Sequence, residues 1–301
     1  MLQAISSQHD AHHERRRKNS LASLTGSLRD NKVHLLLAAS GSVATIKLPL
    51  IIESLAQRHS QRDSDKELSI RVLLTPAASR FLAGQSHEQP TVSSLLSMPC
   101  VDGVYVDADE WREPWKRGDA ILHIELRRWA DLLVIAPLSA NTMAKIVGGF
   151  ADGILTSVVR AWDAWGELDS DLVLTNGDQP LLNGNRRRRQ KKKRIIVAPA
   201  MNTAMWRHPV TAKSLRVLEE EWGVNRNSSK APQPSTAAEE RHAAEEQAQG
   251  DETANNDDDG GWFEVLRPQQ KTLACGDVGD GAMMEWKDIV AVIEDRLGLD
   301  E

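Results

Sequence analysis

The sequence predicts a doubly wound α/β fold, in which a parallel sheet carries helices on both faces. Four short apolar runs, at residues 33–39, 70–74, 132–136 and 195–198, end in small or polar residues. Such runs are typical of strands that are buried on both faces. A stretch with helical spacing follows each run. Strands that alternate with helices build a parallel sheet, so we expect one layered domain.

The turns between these strands and helices are the candidate site. After the first strand, Ile46, Leu50 and Leu55 recur at helical intervals and predict a helix over residues 44–59. The later helices are expected at residues 77–82, 143–162 and 211–221. Ligands of open parallel sheets bind beyond the carboxyl ends of the strands, where all of these turns lie.

The domain organisation is predicted from changes in composition. Residues 1–31 are rich in Ser, His and Arg and predict a disordered arm, followed by one domain over residues 32–298. Two segments, about 166–194 and 225–260, lack the periodic apolar residues of a buried element. We therefore expect them to be disordered, low-complexity insertions within the domain.

Charge and cysteine content limit the classes of function. The net charge of −6 argues against binding of nucleic acid by the whole protein. No apolar run approaches the ~18 residues that span a membrane. The two cysteines are too few for a disulfide framework or a zinc site, so we expect no metal and a reducing compartment.

Residues 40–43, Ser-Gly-Ser-Val, form a candidate phosphate-binding turn. A strand that leads through small residues into a helix presents backbone N–H groups to an anion, and the helix dipole favours its charge. The motif is short and has neither a P-loop Lys nor the full dinucleotide pattern. On this segment alone, an ordinary strand-to-helix turn is the favoured interpretation.

Two further turns carry polar residues at strand ends. Residues 137–142 contain Ser139, Asn141 and Thr142, which suit either helix capping or contact with a heteroaromatic edge. Residues 199–206 place Asn202 in the same layer. Nearby Met201, Met205 and Trp206 either line an apolar pocket or belong to the core, and core packing is the more common role for any one of them.

His123 and Cys275 are the candidate reactive side chains. A lone histidine is more often structural than catalytic, but His123 lies one helix before the strand at residues 132–136. Cys275 lies in a glycine-rich stretch, residues 273–283, which predicts a flexible loop that carries a thiol. The alternative is a turn with an incidental cysteine. Cys100, beside Pro99, is expected to be inert.

Together these blocks resemble one family, the homo-oligomeric flavin-containing cysteine decarboxylases, in particular the eukaryotic phosphopantothenoylcysteine decarboxylases. The resemblance is carried by residues 40–43, 122–131, 136–142, 199–206 and 273–283. It implies a flavodoxin-like (Rossmann-type) fold and a homotrimer with active sites between subunits.

The resemblance also implies roles for individual residues. The FMN-binding residues that it implies are Gly41, Ser42, Val43, Thr75, Ala77, Ser139, Ala140, Asn141, Thr142 and Ala200. The substrate-binding residues that it implies are Asn202, Ala274 and Met283. The catalytic residues are His123, expected from a neighbouring subunit, Asn202, and Cys275 as proton donor.

The implied activity is decarboxylation of 4'-phosphopantothenoylcysteine to 4'-phosphopantetheine in coenzyme A biosynthesis. The thiol is first oxidised by FMN, carbon dioxide is lost, and the resulting enethiol is reduced. The alternative is a regulatory subunit that inhibits a type-1 protein phosphatase, since fungal relatives can do so and residues 237–259 are acidic. Retention of His123, Asn202 and Cys275 in one chain favours the enzyme. The expected location is cytoplasmic, with a nuclear fraction if the basic run 186–194 is a localisation signal.

Overall fold

A six-stranded parallel sheet forms the centre of the computed structural model, which describes residues 19–62, 67–166, 168, 192–224, 260–272 and 278–299. The strands are β1 (Val33–Ala39), β2 (Leu68–Leu74), β3 (Ala83–Ser86), β4 (Gln89–Thr91), β5 (Val101–Val106), β6 (Leu132–Leu138), β7 (Arg194–Pro199), β8 (Phe263–Val265), β9 (Gln269–Thr272) and β10 (Val278–Ala282). The α-helices are α1 (Leu21–Gly26), α2 (Leu48–Ser60), α3 (Pro76–Ser79), α4 (Leu122–Trp129), α5 (Ala140–Val147), α6 (Ile154–Arg160), α7 (Thr203–Trp206), α8 (Pro209–Arg216) and α9 (Trp286–Leu297).

The strand order confirms the predicted fold class. The large sheet runs β5-β2-β1-β6-β7-β8, with all neighbours parallel, while β3–β4 and β9–β10 form two small antiparallel ribbons. Numbered by their order in the chain, the six strands of the large sheet read 3-2-1-4-5-6, which is the Rossmann arrangement. The direction of winding therefore reverses between β1 and β6.

Both faces of the sheet are covered, as an all-parallel sheet requires. Every residue of β1, β2 and β6 is buried. On one face, alternate residues of β1 such as Leu35 and Leu37 pack with α2 and α9. On the other face, Leu36 and Ala38 pack with α1, α4, α5, α6 and α8. These two apolar layers hold the strand ends in fixed register.

The amino-terminal boundary differs from the prediction of a disordered arm over residues 1–31. Residues 1–18 lie outside the described part, but α1 is ordered and its Leu24 is fully buried. The Asn19 amide pairs with the edge strand β5: its Oδ1 accepts from Val104 N at 2.9 Å and its Nδ2 donates to Val104 O. This side chain therefore replaces a missing neighbouring strand, which fixes the chain ahead of α1.

Two of the predicted helices have different bounds in the structure. Residues 43–47 form a 3₁₀ turn before α2, rather than the start of an α-helix. The helix predicted over 143–162 is two helices, α5 and α6, separated at Gly148 and Gly149. Gly149 has φ +72°, a left-handed conformation that glycine adopts without steric cost.

Most of the two predicted insertions lies outside the described residues. The chain re-enters the described part at the amino end of β7 in the first case and ahead of β8 in the second. Next to the second gap, Val224 N donates to Phe263 O at 2.9 Å and Trp262 N donates to Trp222 O at 2.9 Å. The residues that flank this segment are therefore side by side.

Candidate active site

The carboxyl ends of β1 and β6 are joined by the buried hydroxyl of Ser40. Its Oγ donates to Pro137 O at 3.0 Å and accepts from Ser139 N at 2.7 Å. Ser40 N also donates to Pro137 O at 3.0 Å. Because the winding reverses between these two strands, a crevice opens directly above this junction, as doubly wound sheets generally show.

A cavity of about 530 Å³ occupies this crevice. That volume falls within the range typical of small-molecule and cofactor sites. The expected site residues that line it are Gly41, Ser42, Val43, Ser139, Ala140, Asn141, Ala200, Asn202 and Met283. The other lining residues are Ala44, Ile46, Lys47, Phe81, Met201, Met205, Gly281, Ala282, Met284, Glu285 and Trp286. The structure thus brings together residues from five separate parts of the chain.

The turn at residues 40–43 ends in a short 3₁₀ helix whose amino end is at the cavity. Ser42 caps this helix, since its Oγ accepts from Ala44 N at 3.4 Å. The first N–H groups of a helical segment have no acceptor within it, so they are available to an anion. Lys47, at the other end of the same turn, also lines the cavity, and its ammonium pairs with no described residue.

Ser139 caps helix α5 and also lines the cavity. It caps α5 by accepting from Thr142 N at 3.3 Å, and its Oγ donates to Thr142 Oγ1 at 3.2 Å. Ser139 and Asn141 line the cavity, whereas Thr142 is buried behind them. The capping bonds fix the first turn of α5, which holds the exposed Asn141 amide at the cavity wall.

Asn202 begins α7 and presents a hydrogen-bond donor to the same space. Its Oδ1 accepts from Met205 N at 2.8 Å, so its Nδ2 group keeps both protons for a ligand. Amide donors of this kind suit a carboxylate. Of the neighbouring apolar residues, Met201 and Met205 line the cavity, while Trp206 packs on the core beneath.

Thr75 and Ala77, expected in a second FMN-binding turn, do not line the cavity themselves. Thr75 caps α3 by accepting from Ala78 N at 3.3 Å. Ala77 packs against the turn at residues 40–43 on the side away from the cavity. A Cβ built on Gly41 would lie only 2.6 Å from Ala77 Cβ. Only glycine at position 41 permits this close approach of the two turns.

His123 lies away from the cavity of its own chain. It is on the first turn of α4, its side chain is 21% exposed, and its Nδ1 is 2.8 Å from Glu110 Oε1. Ala274 and Cys275 lie outside the described residues, between β9 and β10. Cys100 is at the opposite, amino end of the sheet, where burial and then Asp102 raise the pKa of its thiol. A raised pKa keeps the thiol protonated and less reactive.

Several lining residues were not identified from the sequence. Lys47, Phe81 and Trp286 belong to no recognisable motif, and their position depends on how α2, α3 and α9 pack. Met284, Glu285 and Trp286 lie within three residues of the end of the glycine-rich stretch 273–283, which is a weak sequence signal for their position. Among the described residues, no group of three potential metal ligands occurs and no helix is long and apolar enough to cross a membrane.

The chain matches the family model described as Flavoprotein over residues 23–249. It is 34% identical to a phosphopantothenoylcysteine decarboxylase from Arabidopsis thaliana, over 84% of this chain and 80% of that protein. A solved phosphopantothenoylcysteine decarboxylase, a cysteine-to-serine variant in complex with pantothenoylaminoethenethiol, has 32% identity and a TM-score of 0.52. The match covers 90% of this chain and all of that one.

One further similar structure and two much longer relatives complete the comparison. The FMN-binding protein AtHal3 is 34% identical with a TM-score of 0.50, over 87% of this chain and 95% of that one. The chain spans about a third of the length of two yeast relatives. These are a probable thymidylate synthase from Schizosaccharomyces pombe, matched over 31% of its length, and coenzyme A biosynthesis protein 3 from Saccharomyces cerevisiae, matched over 34%.

The strand order and the crevice at its reversal define the class of doubly wound proteins that bind a ligand at the switch point. Within that class, the chain belongs to the flavoprotein family that contains the phosphopantothenoylcysteine decarboxylases. This membership confirms the family resemblance drawn from the motifs.

Proposed function

We propose that the chain is an FMN-dependent enzyme that converts 4'-phosphopantothenoylcysteine to 4'-phosphopantetheine for coenzyme A biosynthesis. The observation that carries the proposal is the convergence of the Ser42 turn, the Ser139 turn and Asn202 on one cavity. Relatives that match most of this chain are named for this decarboxylation, and a related structure is named for FMN binding.

The residues present fit FMN. The turn at Gly41 supplies N–H donors and the Ser42 hydroxyl for a phosphate, with the Lys47 ammonium one turn away. Ser139 and Asn141 offer polar groups for the edge of the flavin ring. Most other lining groups are apolar, as an aromatic ring system requires.

The chain's own groups then divide the remaining tasks. Bound FMN would accept two electrons from the substrate thiol and later return them, so that the net reaction is redox-neutral. Asn202 Nδ2 would hold the substrate carboxylate before it leaves as carbon dioxide. Met201 and Met205 would exclude water from the reacting atoms. Cys275 Sγ would donate a proton to the enethiol product of decarboxylation.

The proposal includes a homotrimer with active sites between subunits. The support is that His123 does not line its own cavity, although the family resemblance gives it a catalytic role. A neighbouring chain would then bring its His123 to the site. A cytoplasmic location, with a nuclear fraction, is part of the same proposal and is supported by the low cysteine content and the basic run 186–194.

One experiment tests the proposed function directly. We expect the purified protein to be yellow, to release FMN and not FAD on denaturation, and to liberate carbon dioxide from 4'-phosphopantothenoylcysteine. Flavin is identified by chromatography and carbon dioxide with carboxyl-labelled substrate. The matched control is Asn202→Asp, which keeps the helix-capping oxygen but places a negative charge where the substrate carboxylate should bind. A colourless protein, or equal release by wild type and this variant, would contradict the proposal.

A further inference from the structure

Glu110 and His123 form a close pair outside the cavity. The distance from Glu110 Oε1 to His123 Nδ1 is 2.8 Å, although the two residues come from different segments. Glu110 directly follows the 3₁₀ turn Asp107–Asp109, where its N–H donates to Asp107 O at 3.2 Å. His123 lies on the first turn of α4. The pair therefore joins two elements that are each fixed by their own backbone hydrogen bonds.

The Glu110 carboxylate is held inside the protein, while the histidine reaches the surface. The Glu110 side chain is 6% exposed and that of His123 is 21% exposed. Glu110 Oε2 is buried and has no hydrogen-bond partner among the described residues. Burial of an acceptor without a partner costs free energy, so this pair contributes less to stability than a fully hydrogen-bonded pair would.

The geometry decides which ring nitrogen of His123 carries the proton in the neutral ring. Carboxylate oxygens accept hydrogen bonds, so we assign the proton of this contact to Nδ1. The remaining nitrogen, Nε2, then has a free lone pair and faces away from Glu110. A histidine whose second nitrogen is fixed in this way is poised to exchange a proton through Nε2 alone.

We propose that Glu110 is a positioning residue that fixes the tautomer and orientation of His123 for proton transfer through Nε2. The inference rests on the proposed function, in which His123 contacts substrate bound to a neighbouring subunit. Glu110 itself contacts no substrate. Loss of a group that orients a catalytic histidine costs activity through the wrong tautomer rather than through lost binding.

The kinetic test compares three variants. We expect Glu110→Ala to lower kcat by about 10- to 100-fold, with KM within twofold, because substrate contacts are unchanged. Glu110→Gln should retain more activity, because its amide oxygen can still accept from Nδ1–H. Glu113→Ala, which removes an exposed carboxylate three residues away, should match wild type. A kcat of Glu110→Ala within twofold of wild type would overturn the proposal.

A spectroscopic test does not depend on catalysis. Imidazole nitrogen-15 shifts, recorded at high pH and assigned by the signal that His123→Asn removes, distinguish the protonated from the bare nitrogen. Wild type should show the Nδ1–H form, and Glu110→Ala should show a mixture. An unchanged spectrum would overturn the role of Glu110. If wild type gave the expected spectrum but released no carbon dioxide, the proposed function would be wrong, whereas the effect of Glu110 on the tautomer of His123 would be confirmed.

Discussion

Gly41 and Ala77 show that a single methyl group would change the position of the turn at residues 40–43. A Cβ on residue 41 would lie 2.6 Å from the Cβ of Ala77, far inside the ~3.5–4.0 Å of normal carbon contacts. Ala77 belongs to α3, which Thr75 and Pro76 begin at a fixed place after β2. Helix α3, which follows β2, therefore sets the position of the turn that carries Ser42.

This contact predicts a suppressor pair. Gly41→Ala should displace the turn and reduce the flavin content of the purified protein several-fold, with a loss of about 1–3 kcal/mol in stability from overpacking. Adding Ala77→Gly should restore most of the flavin, because the second methyl group is removed. Flavin absorbance per protein and thermal denaturation provide the measurements.

Gly26→Ala is the control for this pair, since a Cβ at position 26 would have no atom within 4 Å. It should leave flavin content and melting temperature nearly unchanged. If the double variant were as poor in flavin as Gly41→Ala alone, the contact with Ala77 would not be what requires glycine in the turn.

The residues of the site were only partly accessible from sequence. Gly41, Ser139 and Asn202 could be proposed because polar or small residues follow apolar strands, and such positions meet at one sheet edge. Lys47 and Phe81 could not, because no local pattern separates a cavity wall from any other helix surface. The Glu110–His123 pair could not be predicted either, because its members are 13 positions apart in the sequence and irregular chain connects Glu110 to the helix that carries His123.

At the scale of elements, Asp107 connects the turn after β5 to the start of α6. Its Oδ1 accepts from Ile154 N at 3.3 Å, which satisfies one of the free N–H groups of that helix. Burial raises the pKa of the Asp107 carboxyl, although this hydrogen bond opposes the shift. The folded protein therefore retains the Asp107 proton at a pH where the unfolded chain, with a pKa of about 3.9, has lost it.

The sign of this shift gives a pH prediction. Because the folded state binds the proton more tightly, Asp107 costs stability as pH rises from the unfolded pKa through the folded one. Asp107→Asn keeps the accepting oxygen and does not ionise. The unfolding free energy of the variant relative to wild type should therefore increase between pH 3.5 and pH 7, by at most about 1 kcal/mol because solvent screens a half-buried group.

Urea denaturation at both pH values measures this difference. Asp119→Asn is the matched substitution at an exposed carboxyl that also accepts from a backbone N–H, that of Lys116 at 2.8 Å, and it shows what the change does without burial. A variant of Asp107 that became relatively less stable on going to pH 7 would contradict the assigned direction.

The elements that sequence analysis missed share a physical reason. In β5, Asp102 and Gly103 interrupt the apolar residues, and the register shifts beside β2, so the strand lacks the continuous apolar run of the inner strands. Helix α1 buries only Leu24. Edge strands and single-turn contacts bury too little to leave a periodic signal. The inner strands β1, β2, β6 and β7 were predicted because burial on both faces makes most of their residues apolar, with buried exceptions such as His34 and Arg71.

At the scale of the whole molecule, the proposed homotrimer with active sites between subunits predicts complementation. His123→Asn chains and Cys275→Ser chains should each be almost inactive, and mixing them should restore part of the activity. Mixed trimers would contain some interfaces in which His123 of one chain meets Cys275 of another. Activity after mixing and refolding is the measurement, and a double variant in one chain, mixed with itself, is the control. No recovery despite proven exchange of subunits would place both residues at one site within a single chain.

A deletion tests the predicted insertion over residues 225–260. Residues 222–224 and 262–263 on either side of it are hydrogen-bonded to each other, so removing residues 228–258 leaves ends that a few residues can join. The cost of closing a loop grows only slowly with its length. We expect the melting temperature to change by less than about 3 °C and flavin content to stay the same, as measured by thermal denaturation and absorbance. A large loss of stability would show that the segment packs on the core.

The positions at which the two low-complexity segments rejoin the fold have a wider consequence. Both lead into strands at their amino ends, at Arg194 and Phe263, whereas the cavity lies at the carboxyl ends. The length of the sheet thus separates the cavity from the points at which both segments rejoin the fold. A localisation signal or docking sequence carried by either segment is therefore compatible with an unaltered reaction, and we expect a reporter or affinity tag inserted into either segment to be tolerated for the same reason.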